Sequence, residues 1–403
     1  MKKQKLIEEV RSRIDLTREV KDEEILEAVD ELLLCRGREK FITLKEKNEL
    51  RKEVFNSIRR LDVLQELIED PQITEIMING YKNIFVEKGG AIFPWKKEFE
   101  SEKRLEDIVQ QIVARTNRIV NEANPIVDTR LKDGSRVNIV LPPVSLEGPV
   151  ITIRKFPEKP ITVEQLIQIG SVTREAAEFL KKLVQAGYNI FISGGTGSGK
   201  TTFLNVLSNY IPSDERVITI EDSAELQIRN IPNLVRLEVR NSNVEGRNEV
   251  SIRQLIKTSL RMRPNRIILG EVRDGAALDL LQAMNSGHDG SLSTGHANST
   301  ADMLSRLETL VLMGADIPLM AVRQQVSSAI DIMIHLGRLR DRSRKVLEIT
   351  EVLNIKEGEI QLNKLYSFEE AGEDGRGKVI GALKPTGNIL KNQDKLKAAG
   401  IEK

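Results

Sequence analysis

The strongest chemical signal in the sequence is a glycine-rich stretch at residues 194–201, GGTGSGKT. It fits the pattern G-x-x-x-x-G-K-[ST] of a phosphate-binding P-loop. A short apolar run at residues 189–192 predicts a buried strand before it, and residues 202–207 predict a helix after it. This is the strand–loop–helix context that the motif requires. The alternative is a glycine-rich turn with a purely structural role.

Such a loop binds the phosphates of a nucleoside triphosphate. Its glycines let the backbone approach the phosphates closely, and N–H groups at the start of the helix point at the anion. Lys200 would neutralise the β- and γ-phosphates, and Thr201 would ligate Mg²⁺. The predicted nucleotide-binding residues are Gly194, Gly195, Thr196, Gly197, Ser198, Gly199, Lys200, Thr201 and Thr202.

Hydrolysis also needs a carboxylate near the attacking water, and Glu271 is placed to supply it. It follows the apolar run at residues 267–269, which predicts a strand, and Gly270 stands where a Walker B motif usually has aspartate. We therefore expect Glu271 to orient the water or to act as its base.

A second acidic set follows the predicted strand at residues 217–220. Residues 221–225, EDSAE, lie directly after it and contain Glu221, Asp222 and Glu225. They could replace the missing aspartate around the metal, so that Thr201, Glu221 and Glu225 form the predicted metal set. For both acidic sets, the alternative is a solvated acid at the end of a strand.

Histidine occurs three times, at His288, His296 and His335. His296 ends a short stretch rich in serine, threonine and glycine, where it could donate a hydrogen bond to the γ-phosphate. His288 and His296 near Asp289 leave a metal site open as an alternative, although no third ligand is evident at a familiar spacing. His335 lies in an apolar run and is predicted to be structural.

Periodicity divides the chain into five regions. Residues 1–68 carry apolar residues at helical spacing, which indicates a small helical domain; a coiled coil or a partner-binding arm is the alternative. Residues 69–155 combine strand patterns with an amphipathic helix, which is typical of an α+β domain. Residues 156–163 contain two prolines and predict a linker. Strands and helices alternate over residues 164–368, which predicts a mainly parallel sheet, and residues 369–403 predict a loosely attached polar tail.

Composition narrows the class of protein. The chain has 403 residues and a net charge of +1, and Cys35 is its only cysteine. A single cysteine excludes an intrachain disulfide and a cysteine zinc site, which fits a reducing compartment. No stretch approaches the roughly 18 apolar residues of a membrane span. We therefore expect a cytoplasmic protein that associates with the inner face of the membrane through partners, and the near-neutral charge argues against direct nucleic-acid binding.

The motifs resemble those of a known family in their order. After the P-loop come TIED at residues 219–222 with Glu225, GEVRD at 270–274 and STGHAN at 293–298. This order resembles the Walker A, Asp box, Walker B and His box of the secretion ATPases that serve type II and type IV secretion and pilus assembly. Similarity to the CpaF branch, which drives tight-adherence pili, is carried by DPQITEIMING at 70–80, DGSRVN at 133–138 and LRMRP at 260–264.

The resemblance implies an α/β fold in which a RecA-like P-loop domain follows an α+β, PAS-like domain and a small helical domain. It implies an ATP hydrolase that uses ATP and Mg²⁺, forms a hexameric ring as a homo-oligomer, and acts on inner-membrane platform proteins to assemble a pilus or to secrete protein. The four-cysteine zinc motif common in the type II secretion branch is absent. Alternatives are a conjugative, DNA-translocating ATPase of the same superfamily and a protein that binds ATP without hydrolysing it.

The same resemblance implies that arginines of the α+β domain reach the γ-phosphate, in their own or an adjacent subunit. Arg136 and Arg154 match best, and Arg130 matches less closely. The alternative for each of them is an ordinary surface arginine on a strand.

Overall fold

The computed structural model describes residues 3–14, 18, 20–39, 41–114, 118–156, 160–240 and 248–401. The chain forms two compact units, Met1–Glu158 and Lys159–Lys403. The predicted linker at residues 156–163 spans this boundary, and three of its residues, Pro157, Glu158 and Lys159, lie outside the described residues. Within the described ranges, no helix is both long and apolar enough to cross a membrane.

The first unit begins with four helices, which are α1 (Lys3–Arg13), α2 (Asp22–Glu39), α3 (Leu44–Arg59) and α4 (Val63–Glu69). The apolar residues at helical spacing in α1 and α2 pack together, and Leu6, Val29 and Leu33 are buried in one cluster. A capping box begins α3, because Thr43 Oγ1 accepts from Glu46 N at 3.2 Å and the Glu46 carboxylate accepts from Thr43 N at 2.9 Å.

A sheet follows in the same unit. Its elements are β1 (Ile73–Asn79), β2 (Asn83–Lys88), β3 (Ala91–Pro94), α5 (Glu102–Val113), β4 (Ile126–Arg130), β5 (Arg136–Val140) and β6 (Val150–Arg154). The strand order is β3-β2-β1-β6-β5-β4, and every neighbouring pair is antiparallel. Leu105, Ile108 and Ile112 of α5 share a core with the sheet. Gly80, with φ of 70°, makes the turn between β1 and β2.

The second unit alternates strands and helices as its sequence predicts. Its elements are α6 (Val163–Gln168), α7 (Arg174–Gln185), β7 (Ile190–Gly194), α8 (Lys200–Ser208), β8 (Val217–Glu221), β9 (Leu234–Glu238), α9 (Ile252–Ser259), a 3₁₀ turn (Leu260–Met262), β10 (Arg266–Leu269), α10 (Ala276–Met284), β11 (Leu292–Gly295), α11 (Thr300–Gly314), α12 (Leu319–Ala329), β12 (Ile332–Arg338), β13 (Arg344–Lys356), β14 (Glu359–Glu373), β15 (Val379–Pro385) and α13 (Asp394–Ala398).

Nine strands form one sheet in the order β15-β14-β13-β12-β7-β11-β10-β8-β9. The six strands from β12 to β9 are parallel, and β13, β14 and β15 extend the sheet as antiparallel neighbours. Helices α7 and α8 cover one face through residues such as Leu180 and Leu204, and α9 to α12 cover the other through residues such as Ile256, Leu281 and Leu307. Because the central strands are parallel, the loops that follow β7, β11, β10 and β8 meet at one edge.

The predicted loose tail at residues 369–403 is wrong for the part that the structure describes. Residues 369–373 complete β14, and β15 and α13 follow. The segment is polar because β15 is the edge strand of the sheet and residues 369–373 at the end of β14 are mostly exposed, while Val379, Leu383 and Leu390 are buried. A solvent-exposed strand can therefore be mistaken for a loosely attached polar segment when only composition is considered.

Candidate active site

The P-loop connects β7 to α8 as the motif predicts. Gly197 and Gly199 have φ of 70° and 95°, in the left-handed region that favours glycine. Gly194 is needed for space, since a Cβ there would lie 2.5 Å from the carbonyl oxygen of Leu336 on the neighbouring strand β12. The backbone at Gly194 is therefore packed directly against β12, and the loop leads from there into the first turn of α8.

Lys200 lies inside this loop and is only 7% exposed. Its Nζ donates to the carbonyl oxygens of Gly194 and Gly195, both at 3.0 Å, and lies 3.2 Å from Nδ1 of His296. Burial lowers the pKa of the Lys200 ammonium, and the charge of Glu271 opposes this shift. The lysine is therefore already in contact with the residue predicted to sense the γ-phosphate.

A chain of contacts continues from His296 across two strands. His296 Nε2 lies 2.7 Å from Glu271 Oε1, Glu271 Oε2 accepts from Arg273 Nη2 at 2.6 Å, and Arg273 Nη1 lies 3.2 Å from Asp222 Oδ2. An ammonium can only donate, so His296 Nδ1 accepts from Lys200 and His296 Nε2 carries the proton that faces Glu271. The pKa of His296 is lowered by burial and by the Lys200 charge, which favours this neutral form.

The structure therefore brings together Lys200, His296 and Glu271, which the sequence places in three separate motifs. It adds Arg273, which was part of a quoted motif but had no predicted role, and Asp222, which belongs to the second acidic set. Their contact is formed because β8 and β10 are neighbouring parallel strands, so the residues after them meet at the same edge.

Glu221 directly precedes Asp222, the last residue in this series of contacts, and is 3% exposed. Its Oε1 accepts from the backbone N of Glu225 at 2.8 Å and of Leu226 at 3.0 Å, and Oε2 has no hydrogen-bond partner among the described residues. Burial raises the pKa of Glu221 to about 7. A Cβ on Gly270 would lie 3.1 Å from Glu221 Cγ, so the glycine in place of the usual aspartate leaves room for this glutamate.

The alternative metal site at His288, Asp289 and His296 does not form. His288 and Asp289 precede β11 and His296 follows it, so they lie at opposite ends of the strand. His288 Nδ1 lies 3.1 Å from Ala283 O, and Asp289 pairs with Lys395 at 2.7 Å. Over the described ranges, the structure contains no group of three or more His, Cys, Asp or Glu side chains that could hold a metal ion.

His335, which was predicted to be structural, is buried and contacts the P-loop strand. Its Nδ1 lies 2.9 Å from Oγ of Ser193, the residue before Gly194. Burial lowers the pKa of His335. Another contact with the loop comes from Arg344, whose Nε donates to Gly197 O at 2.9 Å. No role was predicted for Arg344 from the sequence, where its one signal was the basic run at residues 338–345.

The three predicted arginines lie in the first unit and form one row. Arg136 of β5 is the direct partner of Arg130 on β4 and of Arg154 on β6. Directly opposite residues of antiparallel strands share a face, so three guanidinium groups project from the same side of this sheet. Their common row was not evident from the sequence, because it depends on the register of three strands.

The fold and this site define a P-loop α/β protein. Residues 59–393 match the family described as type II/IV secretion system protein. The chain belongs to this family.

Relatives and solved structures agree with this assignment. The chain is 33% identical over 318 residues to a putative conjugal transfer protein of Mycobacterium tuberculosis, a match that covers 77% of this chain and 90% of the relative. It is 32% identical over 306 residues to the type IV secretion system protein VirB11 of Brucella suis, covering 68% and 84%. The X-ray structure of the Legionella pneumophila ATPase DotB aligns with a TM-score of 0.50 at 22% identity, covers 70% of this chain and 78% of that chain, and shows the shared RecA-like fold.

Proposed function

We propose that this protein is an ATP-hydrolysing motor subunit of a type IV, tight-adherence pilus or of a related secretion machine. The observation that carries the proposal is the contact chain from Lys200 through His296 to Glu271. It joins a phosphate-binding lysine to a carboxylate that follows β10, which is separated from the P-loop strand β7 only by β11, and this is the pairing that ATP hydrolysis needs. A protein that only bound ATP would not require Glu271 in this position.

Each residue of the chain has a distinct role in this proposal. Lys200 leaves the carbonyl oxygens of Gly194 and Gly195 to bind the phosphates, and His296 then donates to the γ-phosphate from Nε2, the ring nitrogen that carries its proton. Glu271 orients the attacking water or accepts its proton once its contact with His296 and its hydrogen bonds from Arg273 loosen. Arg273 fixes the position of the carboxylate, because its Nε and Nη2 both donate to Glu271 Oε2.

The site also fits Mg²⁺. The observation that supports this is the buried Oε2 of Glu221, which has no partner among the described residues. Thr201 in the first turn of α8 and Glu221, with Glu225 beside it, would hold the ion and its waters. When bound, the ion would neutralise charge on the phosphates.

We infer further that the protein works as a hexameric ring on the cytoplasmic face of the membrane, where it acts on platform proteins. The row formed by Arg130, Arg136 and Arg154 supports this, since three guanidinium groups on one face are suited to a bound phosphate. One or more of them would act as an arginine finger and couple hydrolysis to assembly.

Steady-state ATP turnover of the full chain with Mg²⁺ tests the proposal. We expect Lys200→Ala to abolish turnover, and Glu271→Gln to lower it at least about a hundredfold while ATP still binds, the usual effect of losing a general base. Glu249→Gln, the same change at an exposed glutamate, is the control. Turnover in Glu271→Gln equal to that of the control would remove Glu271 as the catalytic carboxylate.

A conjugative, DNA-translocating ATPase is the second candidate. It is favoured by the name of the Mycobacterium tuberculosis relative, a putative conjugal transfer protein that aligns over 90% of its length. Adding single-stranded DNA to the same assay separates the two candidates, because stimulated turnover would support DNA transfer and unchanged turnover would support the pilus or protein-secretion motor.

A further inference from the structure

Two arginines lie beside the P-loop on the side away from Glu271. Arg338 ends β12, Arg344 begins β13, and the two are direct partners in the antiparallel ladder. Arg344 Nε donates to Gly197 O at 2.9 Å, and Arg344 Cδ lies 3.5 Å from where a Cβ on Gly199 would be. The β12–β13 hairpin therefore reaches the middle of the phosphate-binding loop.

Both arginines continue the face of the sheet that α8 covers. Leu336 and Val346 are also partners in this ladder, and both belong to the apolar core that contains α8. Since alternate residues of a strand share a face, Arg338 and Arg344 lie on that same face. Leu336 is level with Gly194, the last residue of β7, so the arginines stand beyond the edge of the sheet, at the height of the loop.

The two positive charges are not neutralised by the described part of the protein. Arg338 has no hydrogen bond or ion pair there, and Nη1 and Nη2 of Arg344 have none either. Arg340 in the same hairpin differs, since its Nη1 donates to Glu370 Oε2 at 2.8 Å. Like charges directly opposite each other destabilise a ladder, and this cost is offset when an anion binds between them.

The backbone of Arg344 is held in place. Ser171 Oγ donates to Arg344 O at 2.6 Å, and Val346 N donates to Ser171 O at 2.8 Å. Only the side chain of Arg344 is therefore free to adjust to a ligand, and its Nε is already fixed on Gly197. A planar guanidinium can hold this carbonyl with one nitrogen and a phosphate oxygen with the others.

The strand order determines which part of a nucleotide would meet these arginines. Glu271 follows β10 and His296 follows β11, and both strands lie on one side of β7, whereas β12 lies on the other side. The proposed function puts the γ-phosphate beside Glu271 and His296. The phosphates then run across the loop toward β12, so the α-phosphate end of the nucleotide lies nearest Arg344.

We propose that Arg344, with Arg338 beside it, is a nucleotide-binding residue that contacts the α-phosphate end of ATP or ADP. The inference rests on the proposed function, because it requires a nucleotide in the P-loop. The β12–β13 hairpin would then bind the α-phosphate end of the nucleotide, opposite the end that contacts Lys200 and His296.

Calorimetric titration of the full chain with Mg-ATP and with Mg-ADP tests this role. We expect Arg344→Ala to raise Kd about tenfold, as the loss of a hydrogen bond to a charged group implies. The rise should be equal for ATP and ADP because both carry the α-phosphate. Arg338→Ala should raise both values by a smaller factor. Arg376→Ala, at an exposed arginine in the β14–β15 turn, should change neither.

The variants distinguish direct contact from a folding defect. Arg338 has no described contact to lose and its charge opposes that of Arg344, so Arg338→Ala should unfold at or slightly above the wild-type temperature without nucleotide and show a smaller upward shift when ADP is added. Arg344→Lys should recover only part of the affinity, because a lysine cannot hold Gly197 and a phosphate together. Affinity unchanged in Arg344→Ala, or lost for ATP alone, would overturn the assignment.

The same titrations separate this inference from the proposed function. A wild-type chain that binds neither nucleotide would refute the nucleotide site as a whole, and this role with it. Wild-type binding that is lost in Lys200→Ala but unchanged in Arg344→Ala would refute only the role of Arg344.

Discussion

At the scale of single residues, the two carboxylate oxygens of Glu221 have different surroundings. Oε1 accepts two backbone hydrogen bonds that fix the loop at residues 222–226, while Oε2 is buried without a partner in the described part of the protein. Burial raises the pKa of Glu221 to about 7. The carboxyl group thus holds a proton in the folded chain at a pH where an ordinary glutamate would have lost it.

We predict that Glu221→Gln changes how stability depends on pH. The pKa of the folded state is raised, so the unfolded chain binds fewer protons between an ordinary pKa near 4.5 and about 7, and the free energy of unfolding falls as pH rises through that window. Glu221→Gln has no ionisable group at this position, so its free energy of unfolding should not show this decrease with pH. Urea unfolding at pH 5 and at pH 7.5 should show a larger decrease for the wild type than for Glu221→Gln, with Glu249→Gln behaving as the wild type. An equal decrease in all three would contradict the raised pKa.

At the scale of elements, a contact between two backbones connects the loop of Glu271 to α11. Gly275 precedes α10 and closes that loop, and Gly314 is the last residue of α11. A Cβ on Gly314 would lie 2.8 Å from Gly275 Cα, and a Cβ on Gly275 would lie 2.6 Å from Gly314 Cα. No side chain separates the two segments, so a shift of one must displace the other.

Gly314→Ala should therefore destabilise the second unit by about 1–3 kcal/mol, as overpacking of a closely packed site does. Because the displaced segment carries Glu271, ATP turnover should fall more than ATP affinity. Gly375→Ala is the matched control, since a Cβ there has no atom within 4 Å. Urea unfolding and turnover measured on both variants check this, and equal values for the two would show that the contact can relax.

The sequence identified elements and residues whose positions depend on local pattern. The strand–loop–helix around Lys200 and the strand ends that carry Glu271 and His296 are as predicted, because each follows from a motif within about ten residues. The contact of Arg344 with Gly197, the row of Arg130, Arg136 and Arg154, and the close approach of Gly275 to Gly314 depend on register and packing between distant segments. Those contacts could not be predicted from one sequence.

At the scale of the whole molecule, the segment after β15 packs against the second unit at the end of the sheet opposite the P-loop. The carboxylate of Glu351, which is 1% exposed, accepts from Asn363 Nδ2 and Asn392 N, both at 2.7 Å, and from Lys391 N at 2.9 Å. Tyr188 Oη donates to Asn392 O at 2.6 Å. Lys391 and Asn392, which were predicted to lie in a loose tail, instead donate hydrogen bonds to a buried carboxyl group on β13.

Replacing Glu351 should loosen this segment. Glu351→Ala leaves several donors without their acceptor, at a cost of about 1–3 kcal/mol in the free energy of unfolding, and Glu351→Gln should cost less because one oxygen remains. Limited trypsin digestion should cleave after Lys391 and Lys395 faster in Glu351→Ala than in the wild type. Cleavage at the wild-type rate would show that Leu390 and α13 hold the segment without the carboxylate.

The position of these partners along the chain also has a consequence for synthesis on the ribosome. Glu351 lies on β13, but Lys391 and Asn392 are translated about 40 residues later, which takes on the order of several seconds at a typical elongation rate. Until then the carboxylate cannot be paired as it is in the finished protein. The packing around Glu351 can therefore be completed only after residues 391 and 392 have been translated, and until then the carboxylate on β13 of the nascent chain must remain hydrated.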